Sequence, residues 1–152
     1  DGTTPLGNDA HGVHITTVDA NLIGGTAAGA GNTIAYNTWT GVLVQNSTAS
    51  ANSILGNAIH SNGGVGIDLG DNGVTNNDSG DGDSGANDLL NFPVISSATE
   101  SGGSVTVTFD LDVPANPDQY RVEFFANPSG ADGSGNGEGE VYLSATTTDP
   151  AW

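Results

Sequence analysis

Short runs in which every second residue is apolar recur along the first seventy positions. Val42 and Val44 form one such pair and Ile67 and Leu69 another, and residues two apart in a strand face the same side. Gly and Asn separate the runs, and both tolerate the left-handed backbone that tight corners require. No segment shows the period of about 3.6 residues that marks a helix. The pattern therefore predicts short strands, each burying one face, joined by tight corners.

These runs belong to an internal repeat. The segment that begins at Asn32 returns 25 residues later at Asn57, with the shared pattern N-x-I-x-x-N-x-x-x-G-(V/I)-x-(V/L), and residues 21–25 are echoed at 52–56. A coil of about 20–25 residues cannot bury its own apolar face, whereas coils stacked about 4.8 Å apart can. We therefore expect rows of hydrogen-bonded asparagines up the stack: Asn32 over Asn57, and Asn37 over Asn62.

Three segments carry a resemblance to a known group of proteins. Residues 21–34, which read NLIGGTAAGAGNTI, resemble the repeats of right-handed parallel β-helix proteins, which are large bacterial secreted or surface proteins. Residues 66–94 resemble the point where such a β-helix ends and a β-sandwich begins, and residues 122–140 resemble that sandwich. The resemblance implies an all-β fold and a secreted or cell-surface location.

Together, repeat and resemblance divide the chain into three regions. We expect residues 1–70 to form about three coils of a right-handed parallel β-helix, and residues 71–93 to form a junction loop rich in Asp, Gly and Asn. Residues 94–152 are expected to form a small antiparallel domain or cap. The opening residues read as the middle of a coil, so we expect a piece of a longer β-helix whose open first coil permits end-to-end self-association.

Alternating apolar residues predict strands in the third region. Val105–Val113 and Tyr120–Phe125 form two of them, and Val141–Ala145 and Val94–Ile95 add two more. Antibody-like sandwiches usually have about seven strands. We therefore expect either a partial sandwich or a cap that covers the unpaired edges of the last coil.

Composition excludes several classes of function. The chain carries 18 acidic residues against a single basic one, Arg121, for a net charge of −17, so nucleic acid and polybasic membrane contacts are excluded. The absence of Cys excludes disulfides, thiolate catalysis and Cys-ligated metals. No apolar run approaches the roughly 20 residues that a membrane span needs.

The acidic junction is the strongest candidate site. Oxygen ligands at alternating positions, with glycines that turn the chain, suit Ca²⁺, which takes about 6–8 oxygens. Residues 81–87 resemble the first half of an EF-hand loop, but the twelfth position is Phe92 instead of Glu. The alternative is a solvated, flexible Asp/Gly linker. The predicted ligands are Asp68, Asp71, Asp78, Asp81, Asp83, Asn87 and Asp88.

Two further groups of polar residues are not assigned to a functional site. Asp132, Glu138 and Glu140 are taken as a mobile hairpin loop. The histidines His11, His14 and His60 are taken as surface residues rather than as zinc ligands or acid–base groups, since alternation with Val13 and Ile15 points His14 outward.

Aromatic residues offer a second candidate site. Trp39 lies in a corner between Asn37 and Gly41, with Tyr36 nearby, and a corner Trp is expected to be exposed. The face of an aromatic ring can stack on the C–H groups of a sugar. The alternative is that Trp39 packs on a neighbouring coil.

An enzyme is the weaker interpretation. Polysaccharide lyases usually need a Lys or Arg base, and the single Arg lies in the tail. The coils hold only Asp9, Asp19 and Asp68 as candidate carboxylates, without a paired motif for glycoside hydrolysis. We therefore assign no catalytic residue. The predicted function is a calcium-stabilised extracellular module that binds polysaccharide or cell-surface glycan or acts as an adhesin; the alternatives are a fragment of a polysaccharide-degrading enzyme and a purely structural cap.

Overall fold

The computed structural model describes residues 5–114, 120–130, 133, 135–136 and 138–148. These residues form an all-β structure, which confirms the predicted class. Seven short strands come first: β1 Val13–Thr16, β2 Leu22–Gly24, β3 Thr33–Ala35, β4 Val42–Gln45, β5 Ser53–Leu55, β6 Ala58–His60 and β7 Ile67–Leu69. A short 3₁₀ helix, Ala86–Leu89, follows, and then four longer strands: β8 Val94–Ser101, β9 Ser104–Asp110, β10 Tyr120–Ala126 and β11 Val141–Thr148.

The seven short strands pair in parallel, each with the third strand along the chain. The sheet orders are β1-β4-β7, β2-β5 and β3-β6. Ile34 stands opposite Ile59 and Val42 opposite Ile67, which is the register that the 25-residue repeat predicts. Three small parallel sheets therefore surround the core that the repeat supplies.

The core lies between these sheets. Most of its buried side chains come from alternating positions of the strands, where a branched apolar residue of one strand stacks on that of the next, and two alanines outside the strands complete it. Val42 and Val44 of the middle strand are fully buried. The cluster consists of Ile15, Ile34, Val42, Val44, Ala49, Ile59 and Ala86, with Val13, Ile23, Ile54 and Leu69 packed against it.

Asparagines join successive strands at their ends, with a buried member in each set, and we call each set an asparagine row. The Asn57 Oδ1 atom accepts hydrogen bonds from the backbone N–H and the side-chain amide of Asn32, at 3.0 and 2.9 Å. The Asn62 Oδ1 atom receives the same pair of bonds from Asn37, at 3.2 and 2.8 Å. Both predicted rows are therefore confirmed.

The four longer strands form two antiparallel hairpins, β8-β9 and β10-β11. The four predicted strands are present, but β9 ends at Asp110 instead of Val113. Beyond Asp110 the chain contacts the junction instead, because the Asp112 carbonyl and carboxylate accept hydrogen bonds from the Asn91 side chain and from the Gly80 N–H. Phe109 and Phe124 join the two hairpins edge to face, with ring centroids 5.9 Å apart.

The second hairpin and the chain before β11 contact the parallel sheets. Ile59 and Gly139 form an antiparallel bridge with two hydrogen bonds of 2.8 Å. The Glu123 carboxylate accepts a 2.7 Å bond from the Gly56 N–H. None of the helical residues that the structure describes forms a helix long and apolar enough to cross a membrane.

Candidate functional sites

Three carboxylates of the junction converge, and we call them the acidic triad: Asp78, Asp81 and Asp83. Each offers an oxygen within 4.8 Å of the others. The turn is held by hydrogen bonds from the Gly82 N–H to both carboxylate oxygens of Asp78, at 3.2 and 3.1 Å. The Asn91 N–H donates a 2.7 Å bond to Asp81 Oδ1. The geometry brings three hard oxygen ligands to one point, as a divalent cation requires.

The electrostatics of the acidic triad disfavour a charged Asp81. Partial burial raises the pKa of the Asp81 carboxyl above its ordinary value, and the negative charges of Asp78, Asp83 and Asp88 raise it further. The hydrogen bond from Asn91 acts in the opposite direction and only partly offsets these effects. A bound cation would remove the repulsion among these carboxylates.

Asn91 organises the site, and the sequence reasoning missed it. Its side chain is buried, donates to the carbonyls of Asp78 and Asp112 at 2.9 and 2.6 Å, and accepts a 3.0 Å bond from the Asp78 N–H. These partners lie 13 and 21 positions away and belong to no repeat, so local pattern gives no signal for them. The only indication of a buried role in the sequence is that Asn91 is a polar residue between two large apolar ones, Leu90 and Phe92.

Asp68 and Asp71 lie in another part of the junction. Asp68 is buried, and its carboxylate accepts backbone N–H bonds from Asp71, Asn72 and Gly73 at 3.1, 3.3 and 3.1 Å. The Asp71 carboxylate accepts a 2.8 Å bond from the side chain of Gln45. Asp68 therefore holds the turn that follows β7, and the structure does not group these two residues with the acidic triad.

Asn87 and Asp88 occupy different roles within the 3₁₀ helix. The Asn87 side chain accepts from the Asn52 N–H and donates to the Asn52 carbonyl, both at 2.8 Å. Asn52 in turn accepts two bonds from Asn21, so Asn87 ends a third asparagine row. Asp88 acts on Asp81 through its charge. The structure thus brings together three of the seven predicted ligands, with Asp88 nearby.

Tyr36 and Trp39 lie on the turn between β3 and β4, and we call them the aromatic corner. Trp39 is 54% exposed, and its ring meets the ring of His11 edge to face at 5.1 Å. The Trp39 N–H donates to the Ala10 carbonyl, and its carbonyl accepts from the Gly64 N–H, at 3.1 and 3.0 Å. Tyr36 is also half exposed and contacts His60. The expected exposure of Trp39 is confirmed, and its backbone is fixed on both sides.

The histidines line the aromatic corner. His14 is exposed, as expected, and its Nε2 lies 3.0 Å from the Gln45 side-chain oxygen. The rings of His11 and His14 are 5.4 Å apart. Among the described residues, the buried Nδ1 of His11 finds no hydrogen-bond partner. His11 packs against the Trp39 ring instead of lying free on the surface.

Glu138 and Glu140 make specific hydrogen bonds, which the interpretation as parts of a mobile loop did not predict. Glu138 accepts bonds from the N–H groups of Ser61 and Asn62, at 2.8 and 3.2 Å. Glu140 accepts bonds from the backbone and hydroxyl of Ser129. Asp132, the third member of that group, lies outside the described residues.

Comparison with known proteins gives no relative. No protein-family model, curated protein or solved structure matches this chain. Its function is therefore inferred from its own residues.

Proposed function

We propose that the chain is a non-enzymatic extracellular module that binds carbohydrate at the aromatic corner. The proposal rests on one observation: Trp39 presents about half of its surface to solvent while its backbone is hydrogen bonded on both sides and its ring packs against that of His11. A ring already fixed in place loses little conformational freedom when a ligand binds. The exposed face suits the C–H face of a pyranose, which stacks on aromatic rings.

We propose a right-handed parallel β-helix as the scaffold of this site. The support is that β1, β2 and β3 pair in parallel with β4, β5 and β6 in the same order, as successive coils would. Crossovers between parallel strands of one sheet are right-handed in about 98% of cases. On this scaffold the aromatic corner is a fixed feature of one coil edge.

We also propose that Ca²⁺ binds the acidic triad and stabilises the junction. The three convergent carboxylates and the raised pKa of Asp81 support this proposal. Ca²⁺ takes about 6–8 oxygens at 2.3–2.6 Å, so the remaining ligands would come from backbone carbonyls or water. The ion would tie the turn at Asp78 to Asn91, which itself contacts the chain at Asp112.

A structural role as a cap is the second candidate, and one observation favours it. Side-chain oxygens of three later residues, Asn87, Glu123 and Glu138, accept hydrogen bonds from backbone N–H groups at residues 52–62. These bonds satisfy donors that an uncapped parallel edge would leave open. Capping and glycan binding use different surfaces, so they are compatible.

Binding to a panel of immobilised glycans, followed by affinity electrophoresis in the best polysaccharide, tests the carbohydrate proposal. We expect the wild type to bind at least one glycan and Trp39→Ala to weaken that affinity about tenfold or more, since a lost aromatic contact at a binding hot spot costs about 1–2 kcal/mol or more. Phe92→Ala is the matched control, because Phe92 is similarly exposed, at 44%, but lies away from the corner. A folded wild type that binds no glycan, or equal loss in both variants, would contradict the proposal and leave the cap role.

A further inference from the structure

A cleft lies between the β2–β3 loop and the β10–β11 hairpin, and we call it the arginine cleft. Its volume is about 300 Å³, at the low end of the range for small-ligand sites. One wall is a loop of small residues, 25–29. The other wall carries Arg121 and Tyr142. Arg121 is the only basic side chain among the 152 residues, so the one cation of a strongly acidic protein lines a cleft.

The guanidinium of Arg121 is held in a fixed position. Its Nε donates a 2.8 Å bond to Glu123, and its Nη2 lies 3.3 Å from the Tyr142 hydroxyl. Glu123 is anchored in turn by the Gly56 N–H, which donates to its other carboxylate oxygen. A guanidinium carries five N–H donors, so these two bonds leave several for a ligand. The hydrogen bond with Glu123 also raises the pKa of Arg121, which keeps the side chain charged.

The opposite wall adds donors and room. The backbone N–H groups of Thr26, Ala28 and Gly29 make no hydrogen bond with any other described residue. Gly29 has a φ of +77°, and a Cβ added there would meet nothing within 4 Å, so the space beside this loop is open. The arginine cleft is therefore lined by the Arg121 guanidinium and the Tyr142 hydroxyl on one wall, and on the other by a loop of small residues with N–H groups that are unpaired among the described residues.

We propose that the arginine cleft binds the carboxylate of an acidic sugar residue. A guanidinium fork matches a carboxylate in geometry and charge, and charge-assisted hydrogen bonds are roughly twice as strong as neutral ones. The phenol and the loop N–H groups suit the hydroxyl and ring oxygens of the same sugar. Tyr142 lines the cleft and is 42% exposed, so its aromatic ring is available to contact the sugar. The cleft is lined by residues other than the aromatic corner, so the proposal stands whether or not Trp39 binds a glycan.

Titration of the full chain with monosaccharides, followed by amide NMR, tests this proposal. The probes are glucuronic and galacturonic acid, with glucose and galactose as neutral counterparts and acetate as a simple carboxylate. About 0.15 M salt is used, because the net charge of −17 repels anions at long range and salt screens that repulsion beyond about 8 Å. We expect shifts confined to residues 25–31, Gly56 and the Arg121 side chain, with at least one acidic sugar binding about tenfold more tightly than its neutral counterpart.

Three variants separate the site from folding effects. Arg121→Gln is expected to lower the affinity for the acidic sugar about tenfold, and Ala28→Leu to lower it by filling the cleft while leaving Arg121 intact. Ala98→Leu, an exposed position on β8, is the matched control and should bind as the wild type does. Equal binding of acidic and neutral sugars would overturn the proposal. So would equal effects of acetate and the acidic sugar, or unchanged binding by Ala28→Leu and Arg121→Gln.

Discussion

At the scale of single residues, buried asparagine amides connect one strand level to the next. Asn57 is 3% exposed and makes three side-chain hydrogen bonds, two received from Asn32 and one donated to the Ile23 carbonyl. An amide can donate and accept at once, so it satisfies backbone groups of both levels. A buried backbone group without such a partner costs about 1–3 kcal/mol.

Asn57→Ala should therefore lower the free energy of unfolding by about 1–3 kcal/mol, since it removes the acceptor of the Asn32 N–H and the donor to the Ile23 carbonyl. Urea unfolding followed by circular dichroism measures the change. Asn76→Ala is the control: the Asn76 side chain is exposed and makes no hydrogen bond with other described residues, so its effect should stay within about 0.5 kcal/mol. Similar losses in both variants would argue against a special role for the asparagine rows.

Sequence pattern predicts the asparagines that repeat and misses those that do not. Asn32 and Asn57 stand at equal positions of the 25-residue repeat, so their contact follows from stacking alone. Asn87 and Asn91 contact residues of unrelated segments, and no periodic signal marks them. All three members of the acidic triad were among the seven predicted ligands. The sequence could not separate them from Asp68, because a carboxylate is equally suited to hold its own turn.

At the scale of elements, the segment around Gly139 connects the antiparallel strands to the parallel sheets, in addition to the bond between Glu123 and Gly56. Glu138 accepts two backbone bonds and the neighbouring Gly139 bridges Ile59, so one short segment seals the edge of β6. The strands themselves were predictable from alternation, as β10 and β11 show. The bridge was not predictable, because its partners are 80 positions apart (59 to 139) and neither carries a local pairing signal.

Glu138→Ala should detach this segment locally. We expect amide hydrogen exchange at Ser61 and Asn62 to speed up about tenfold or more, because both N–H groups lose their acceptor and each such bond to a charged group contributes about 1.5–3 kcal/mol. Glu140→Ala is the comparison within the same segment: its bonds run to Ser129, so exchange at residue 61 should not change. Unaltered exchange in Glu138→Ala would show that the edge is sealed by other contacts.

At the scale of the whole molecule, negative charge is concentrated away from the parallel strands. Residues 1–70 carry only Asp1, Asp9, Asp19 and Asp68, while the other 14 of the 18 acidic residues lie in the junction and tail. The parallel strands are stabilised by apolar contacts and amide hydrogen bonds, so they tolerate the net charge of −17, most of which lies elsewhere in the chain. The acidic triad brings three of these charges close together. The stability of the protein should therefore depend on pH and on Ca²⁺ through these three carboxylates.

Asp81→Asn tests this dependence. The pKa of Asp81 in the folded protein lies above the unfolded value of 3.8. At pH values above the folded pKa, the charged carboxylate therefore lowers the free energy of unfolding. This loss of stability disappears as pH falls towards 3.8, because the carboxyl is then protonated in the folded state. With chelator at pH 7, Asp81→Asn should therefore melt higher than the wild type. The difference should shrink to zero near pH 4. Asn keeps an acceptor for the Asn91 N–H, so that hydrogen bond is retained.

Saturating Ca²⁺ should reverse the order of the two proteins at pH 7. At a free concentration of 100 times Kd, an ion bound only by the folded state contributes about 2.7 kcal/mol, which the wild type gains and Asp81→Asn largely loses. Asp110→Asn is the control, since it removes one exposed charge from β9 outside the acidic triad. If Ca²⁺ leaves all three melting temperatures unchanged, calcium binding at the acidic triad is wrong.

The side chains that seal the parallel edges have a consequence for the order of events during synthesis. Glu123 accepts its hydrogen bond from Gly56, 67 residues earlier in the chain, and Glu138 accepts one from Ser61, 77 residues earlier. When the parallel strands have just emerged from the ribosome, neither acceptor has been synthesised. The edges of the parallel sheets therefore remain open to other strands until the second hairpin emerges. Contacts of such long sequence separation also slow folding. The interval between release of residue 62 and residue 138 is therefore when this protein is most exposed to aggregation, and when a chaperone would protect it most.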